Sequence, residues 1–396
     1  MNKFIIAKTL IDGKCDKPLK NKVIVIRDDK IEAVKPLGSI NKGEMIPDST
    51  YELNYVLPGF IDSHNHLAAD IGDQENQSRQ HVTYRSLRVA RNARKDLLSG
   101  VTTMRTMGET EEIDFAYRRA IKEWIVPGPR VLASGAPIGV TGSHAWTFLT
   151  EQVDGPEAMR NAIRRRRRAG ADFIKLMVSG GMMTPDSDPM MAEITLEELK
   201  AAVVEAKRWG KRTAAHIAGG QALDFAIEAG IDSIEHGSFA TEEQLRKMHK
   251  NGQFLVATVN DIKIYGQEGD KYGVPIYAQE KCRTAFGPCC EVMSKAREIG
   301  IRIAIGQDCN HGNFAEEMVS LVKCAKFPAM DAIKSATIIG AETCGLEHVT
   351  GTIETGKFAD LIGLNDDPIS DIGALKQISF VMKEGILCLN NGIALV

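Results

Sequence analysis

The chain has 396 residues, long for a single hydrophobic core, and its 43% hydrophobic and 26% charged content is that of an ordinary soluble globular protein. A formal net charge of −3 gives no electrostatic basis for nucleic acid or an anionic membrane as partner. The apolar start of the chain is too short for a signal-peptide core and no run of about 18 apolar residues occurs; the eight cysteines form no C-x2-C pair and read as reduced thiols in a cytoplasmic enzyme, the adjacent Cys289 and Cys290 carrying no motif.

Residues 1–57 alternate or cluster β-branched side chains between Asp-Gly, Asp-Asp-Lys and Pro-Leu-Gly turns, and residues 353–396 have the same texture. Between them, 58–352 changes to short apolar runs separated by long amphipathic segments, the βα alternation of a parallel sheet. Eight runs are strand candidates: 59–67, 102–108, 130–136, 173–181, 212–219, 232–238, 254–260 and 302–308. The expected fold is α/β: a (β/α)8 TIM barrel, with a small β-sandwich domain built from both chain termini. A doubly wound open sheet is the rival pattern, but no G-x-G-x-x-G follows the first strand and there is no P-loop. The run Arg164 to Arg168 lies in a helical stretch of a slightly acidic chain and is expected to be a solvated helix face.

His64 and His66 stand two apart in the first run, and the strand period of two turns both imidazoles to one face. Their place at the end of the run puts them at the C-terminal rim of a barrel, where such enzymes keep their sites. Alone the H-x-H pair is weak. His216, His236 and Asp308 close the fifth, sixth and eighth runs, so four of the nine histidines converge on one rim, whereas His249 and His348 fall in helix-like segments. Packing gives no reason for such convergence, and four imidazoles with a carboxylate supply donors for two divalent metal ions. Lys175, in the fourth run, has two readings. It is either an ammonium that reaches the rim or pairs with Asp308, or an amine capped into an anion that bridges the metals.

With these residues the chain resembles the amidohydrolase superfamily over nearly its whole length. Pro58-Gly59-Phe60-Ile61-Asp62-Ser63-His64-Asn65-His66 is similar to its first-strand signature; Lys175, His216, Ile234-Glu235-His236-Gly237 and Asp308 follow in its order, and 351–361 is similar to its return into the β-sandwich. The segments 100–105, 141–146 and 170–175 look like the imidazolonepropionase-like and prolidase-like branch. The resemblance implies two divalent ions, usually zinc. Lys175 would be N6-carboxylated and bridge them, with His64, His66 and Asp308 on one ion and His216 and His236 on the other. It implies a small-molecule substrate, and barrels of this type often form homo-oligomers.

Asp308 is the expected catalytic residue, taking a proton from water and delivering it to the leaving nitrogen. His144 is expected to contact the substrate's carbonyl or carboxylate, and Trp146 to form an apolar wall. Several branch members place a tyrosine two residues after the fifth-strand histidine for the substrate carboxylate, where this chain has Ala218; Arg105, Tyr265, Asn310 and His311 are alternatives. His216 is followed by Ile-Ala-Gly-Gly rather than by the glutamate of the deaminases. Amide hydrolysis of a dipeptide or N-acyl amino acid is the leading expectation, and opening of a lactam or imidazolone-type ring the second. A non-catalytic binding barrel is a third, which the six occupied cluster positions disfavour.

Overall fold

The computed structural model describes residues 2–40 and 49–396, so residues 1 and 41–48 of the predicted first segment lie outside the described residues. The described chain opens with β1 (Asn2–Leu10), β2 (Leu19–Arg27), β3 (Lys30–Pro36) and β4 (Thr50–Pro58). The middle carries β5 (Phe60–Asn65), β6 (Val101–Thr106), β7 (Arg130–Ala133), β8 (Ile138–Gly139), β9 (Glu151–Gln152), β10 (Ile174–Met177), β11 (Thr213–Gly219), β12 (Ser233–Phe239), β13 (Phe254–Ala257) and β14 (Ile303–Ile305). β15 (Leu361–Leu364), β16 (Ile378–Lys383), β17 (Ile386–Asn390) and β18 (Ile393–Ala394) end it.

The strands of the two chain ends form one eight-stranded sheet in the order β18-β17-β16-β15-β4-β1-β2-β3. β1 and β4 are parallel and the other pairs antiparallel, with β15 laid against β4 so that Leu361 faces Pro58. Its alternating apolar positions bury a core of their own, including Ile5, Ile24, Ile26, Val56, Leu361 and Phe380.

The middle strands are all parallel, and the connections between them carry helices except from β7 to β8 and from β8 to β9. Thr195 with Glu198, and Thr241 with Gln244, form reciprocal capping boxes that start the helices Leu196–Arg208 and Glu242–Asn251. One ladder runs β14-β13-β12-β11-β10-β8-β9 and the other β5-β6-β7. Two links join them. The third predicted run holds β7, which pairs with β6; the chain then bends at Ser134–Pro137, and its continuation β8, just past the run, pairs with β10. At the other end β14 meets β5 through Asp308 N–H to His64 O and His66 N–H to Asp308 O, both 2.9 Å. A Cβ on Gly306 would sit 2.3 Å from the Cβ of His64, so only glycine permits that approach.

The other seven runs each contain an observed strand, with ends within four residues of the expected ones. The arginine run lies in the helix Pro156–Ala169 but is not simply solvated. Arg164 pairs with Glu205 and Arg165 with Glu151, at 2.9 and 2.6 Å, Arg166 also pairs with Glu151, and Arg167 stacks over Trp209. His348 lies in a turn, not a helix. All eight cysteines are free.

Candidate metal centre

The C-terminal ends of the parallel strands carry a row of imidazoles. His64 is in β5 and His66 one residue beyond it; neighbouring ring centroids run His66–His64 5.5 Å, His64–His236 4.7 Å, His236–His216 4.7 Å and His216–His144 4.4 Å. Asp308 lies three residues past β14, with its Oδ2 3.7 Å from His64 Nε2. Donor atoms of His64, His66 and Asp308 fall within 4.8 Å of one another, a spacing one divalent ion bridges. Lys175 enters the same cavity from β10 and is 2% exposed. It neither reaches the rim nor pairs with Asp308: no carboxylate among the described residues lies within ion-pair distance of its amine.

Each ring is oriented from behind through one nitrogen, leaving the other for the cavity. His64 Nδ1 contacts Glu235 Oε2 at 2.8 Å, His236 Nδ1 contacts Thr258 Oγ1 at 2.8 Å, His66 Nδ1 faces Gly108 O at 3.3 Å, and His216 Nε2 faces Gly180 O at 3.2 Å. Glu235 is in turn held by Arg105 Nη2 at 2.8 Å and the Ser233 hydroxyl at 2.7 Å. Glu235 and His236 are neighbours in sequence, yet both reach His64. His236 has φ +72°, which breaks the strand's alternation, and Asp308 has φ +55°. Such backbones cost of order 1–3 kcal/mol each and persist where the surroundings enforce them, characteristically at functional sites.

Burial keeps the rings neutral. It drives His64, His216 and His236 well below the ordinary histidine range, lowers His66, and brings His144 to about 3, with Lys175 and neighbouring imidazoles adding to each effect and Asp308 opposing it at His64 and His66. Neutral imidazole is the form that ligates a metal. Burial also lowers Lys175 to about 8, against the opposing pull of Glu235 and Asp308.

A family model, the amidohydrolase family, matches this chain over residues 55–388. The chain belongs to that family. It is 30% identical to ochratoxinase from Aspergillus niger, the match spanning 98% of this chain and 87% of that protein. A crystal structure of a Xaa-Pro dipeptidase with bound methionine in the active site superposes with a TM-score of 0.89 at 31% identity, covering 98% of this chain and 99% of that one. The crystal structure of A. niger ochratoxinase superposes with a TM-score of 0.88 at 28% identity over 99% and 96%. The amidohydrolase is thus a metal-dependent hydrolase acting on carbon–nitrogen bonds, and its His64, His66 and Asp308 group suits such an ion. Among the described residues no helix is long and apolar enough to cross a membrane.

The amidohydrolase cavity opens to solvent and is lined by both apolar and polar side chains, as a site for a small organic ligand is. His144, Ala145, Phe148, Leu149, Met182 and Met183 line it, together with Asp261, Ile262 and Tyr265. Trp146 is not on this wall: it is 46% exposed and lines a neighbouring cavity, while Phe148 supplies the aromatic face. Of the four alternatives for a substrate carboxylate, Arg105 is used up beneath the histidines by Ser63 O, Ser233 and Glu235. His311 is committed to Asp96, and neither it nor Asn310 lines the cavity. Tyr265 does, its hydroxyl accepting from Gln74 at 3.0 Å, and so does Arg85, which sequence reasoning passed over. Glu235, Thr258 and Asp261 were also missed. Only the adjacency of Glu235 to His236 offered a signal, and strand alternation argued against using it.

Proposed function

We propose that this amidohydrolase is a binuclear enzyme that cleaves the amide bond of a small carboxylate-bearing substrate, a dipeptide or an N-acyl amino acid. The observation that carries the reading is the continuous row of five neutral imidazoles flanked by Asp308 and buried Lys175. In this reading the two parallel ladders, bridged at β7–β8 and at β14–β5, are one closed (β/α)8 barrel spanning 58–352, and 1–57 with 353–396 form the second domain.

His64, His66 and Asp308 would hold one divalent ion and His216 and His236 the other, zinc being the expected metal. An amine lowered to about 8, with no carboxylate partner, is available as a nucleophile to carbon dioxide. Lys175 thereby forms a C–N bond, loses a proton and becomes the N6-carboxylated anion that two cations favour. Bound cations supply a Lewis acid for the scissile carbonyl and lower the pKa of water. Asp308 accepts the water's proton and passes it to the departing nitrogen, which leaves readily only when protonated. His144 meets the substrate's carbonyl or carboxylate, and Tyr265 is a cavity group available to a carboxylate where Ala218 offers nothing, since Arg85 is paired with Glu111 at 2.7 Å. The similarity to a Xaa-Pro dipeptidase and to ochratoxinase supports an amide substrate.

The test is metal content and substrate range of protein made in zinc-supplemented medium. The assay uses N-acyl amino acids and dipeptides varied at the C-terminal residue, beside a lactam and an imidazolone. Two ions per chain and hydrolysis restricted to carboxylate-bearing amides are expected. One ion or fewer, or ring opening alone, overturns the proposal.

A further inference from the structure

The connection from β10 to the helix Leu196–Arg208, residues 178–195, contains no helix or extended ladder and is longer than most loops of compact domains, which marks it as a candidate functional loop. It lies over the histidine row: Gly181, Met182 and Met183 line the cavity, and a Cβ on Gly181 would meet the ring of His144 at 2.4 Å. Thr184 of this loop fixes that ring. Its hydroxyl accepts from Ala145 N–H at 2.9 Å and lies 3.0 Å from His144 Nδ1. The hydroxyl thus ties the ring to the backbone of the neighbouring Ala145 and leaves Nε2 on the other side of the imidazole. The same loop grips the His144 backbone through Glu193, whose Oε2 accepts from His144 N–H and whose Oε1 accepts from the Ser187 hydroxyl, both at 2.6 Å.

What holds the loop comes from elsewhere. Lys281, on the helix Ile276–Ile299, places its ammonium among four backbone carbonyls, Ser187 O at 2.6 Å, Thr184 O at 2.7 Å, Pro185 O at 3.2 Å and Gly181 O at 3.3 Å. Three N–H donors shared by four carbonyls make a compact cation cage rather than an ion pair; no carboxylate among the described residues lies within ion-pair distance of this amine. The Tyr277 hydroxyl, one helical turn earlier, donates to Met183 O at 3.1 Å and fixes the loop beside the cage.

We infer that Lys281 is a positioning residue whose ammonium fills a carbonyl cage suited to a small monovalent cation, and so sets the orientation with which His144 meets substrate. Removing the ammonium leaves four convergent dipoles without a donor, and the loop that carries Thr184 relaxes. This rests on the reading of His144 as a substrate contact, whereas the cage itself does not.

The experiment uses the full-length, zinc-loaded protein with Lys281→Met, which keeps the aliphatic stem and removes the charge. Thermal midpoints are compared in ammonium chloride and tetramethylammonium chloride at equal ionic strength. The variant is expected to be stabilised by ammonium and not by the bulky ion, and the wild type to show no difference. With the best amide of the substrate panel, KM of the variant rises about tenfold while kcat stays within about twofold, and ammonium chloride restores KM. Absence of an ammonium-specific midpoint shift overturns the cage. An unchanged KM, or a joint fall of kcat that ammonium does not repair, overturns the positioning role. His144→Asn serves as the reference: if its KM equals wild type, the reading of His144 fails and takes the kinetic half of the inference with it, while the midpoint shift still judges the cage.

Discussion

The eight-stranded sheet and the C-terminal ends of the parallel strands bury opposite kinds of chemistry. The sheet's core cluster is twelve apolar side chains, and Lys14 with Glu354 sits at its surface. The ends of β5, β10, β11 and β12 bury His64, Lys175, His216 and Glu235 instead, with Arg105 beneath them. Burying an ionisable group is costly unless it is paired, hydrogen-bonded or bound to a metal. The concentration of such groups at the ends of the parallel strands makes the first region mainly a measure of stability and the second mainly a measure of function.

Substitutions should separate the two accordingly. Asp308→Asn should lower kcat by about 10³- to 10⁴-fold with a thermal midpoint near that of wild type; retained turnover in a metal-loaded variant would end the proposed mechanism. Phe380→Ala, at a fully buried position with its ring tilted against Tyr51, centroids 5.5 Å apart, should cost about 3–5 kcal/mol in denaturant unfolding. Its kcat/KM per folded molecule should be unchanged, and a loss of activity there would blur the division. Glu235→Gln removes the charge that orients His64 and balances Arg105, and should weaken metal affinity roughly 10- to 100-fold in chelator competition.

The smallest expected effect is at the surface of the sheet. Hydrogen bonds from Lys14 and Thr352 hold the Glu354 carboxyl down to about 2. A depressed acid stabilises the fold above its unfolded pKa of about 4.5 and loses that contribution as pH falls toward 2. Glu354→Gln should therefore lower the thermal midpoint by about 1 °C at neutral pH. The gap from wild type should close in acid; a gap that widens would contradict the assignment.

The periodic part of the chain was legible from its sequence. Apolar runs with helical spacers mark the parallel strands, and the metal-ligand types stand at their ends, because strand period and rim position are local properties. Interruptions of that period were not legible. His236 adopts a left-handed backbone, so it turns inward as well as Glu235, which keeps the face of Ser233, and the third run ends in a bend at Ser134–Pro137 that leads into a further short strand. Loop side chains were also beyond reach: Trp146 turns outward while Phe148, two residues on, faces the cavity. Lys281 carries no local signal, since its partners are backbone carbonyls almost 100 residues away.

The pairing of β4 with β15 has a consequence for how the molecule is made. Tyr55–Pro58 find their partners in Leu361–Leu364, about 300 residues later. At a synthesis rate of roughly 5–20 residues per second, the β4 edge waits on the order of 15–60 s on the ribosome before it is covered. An uncovered apolar edge is a template for pairing with another chain. Nascent chains of this protein, rather than the finished enzyme, are therefore the stage at which a holding chaperone has something to protect.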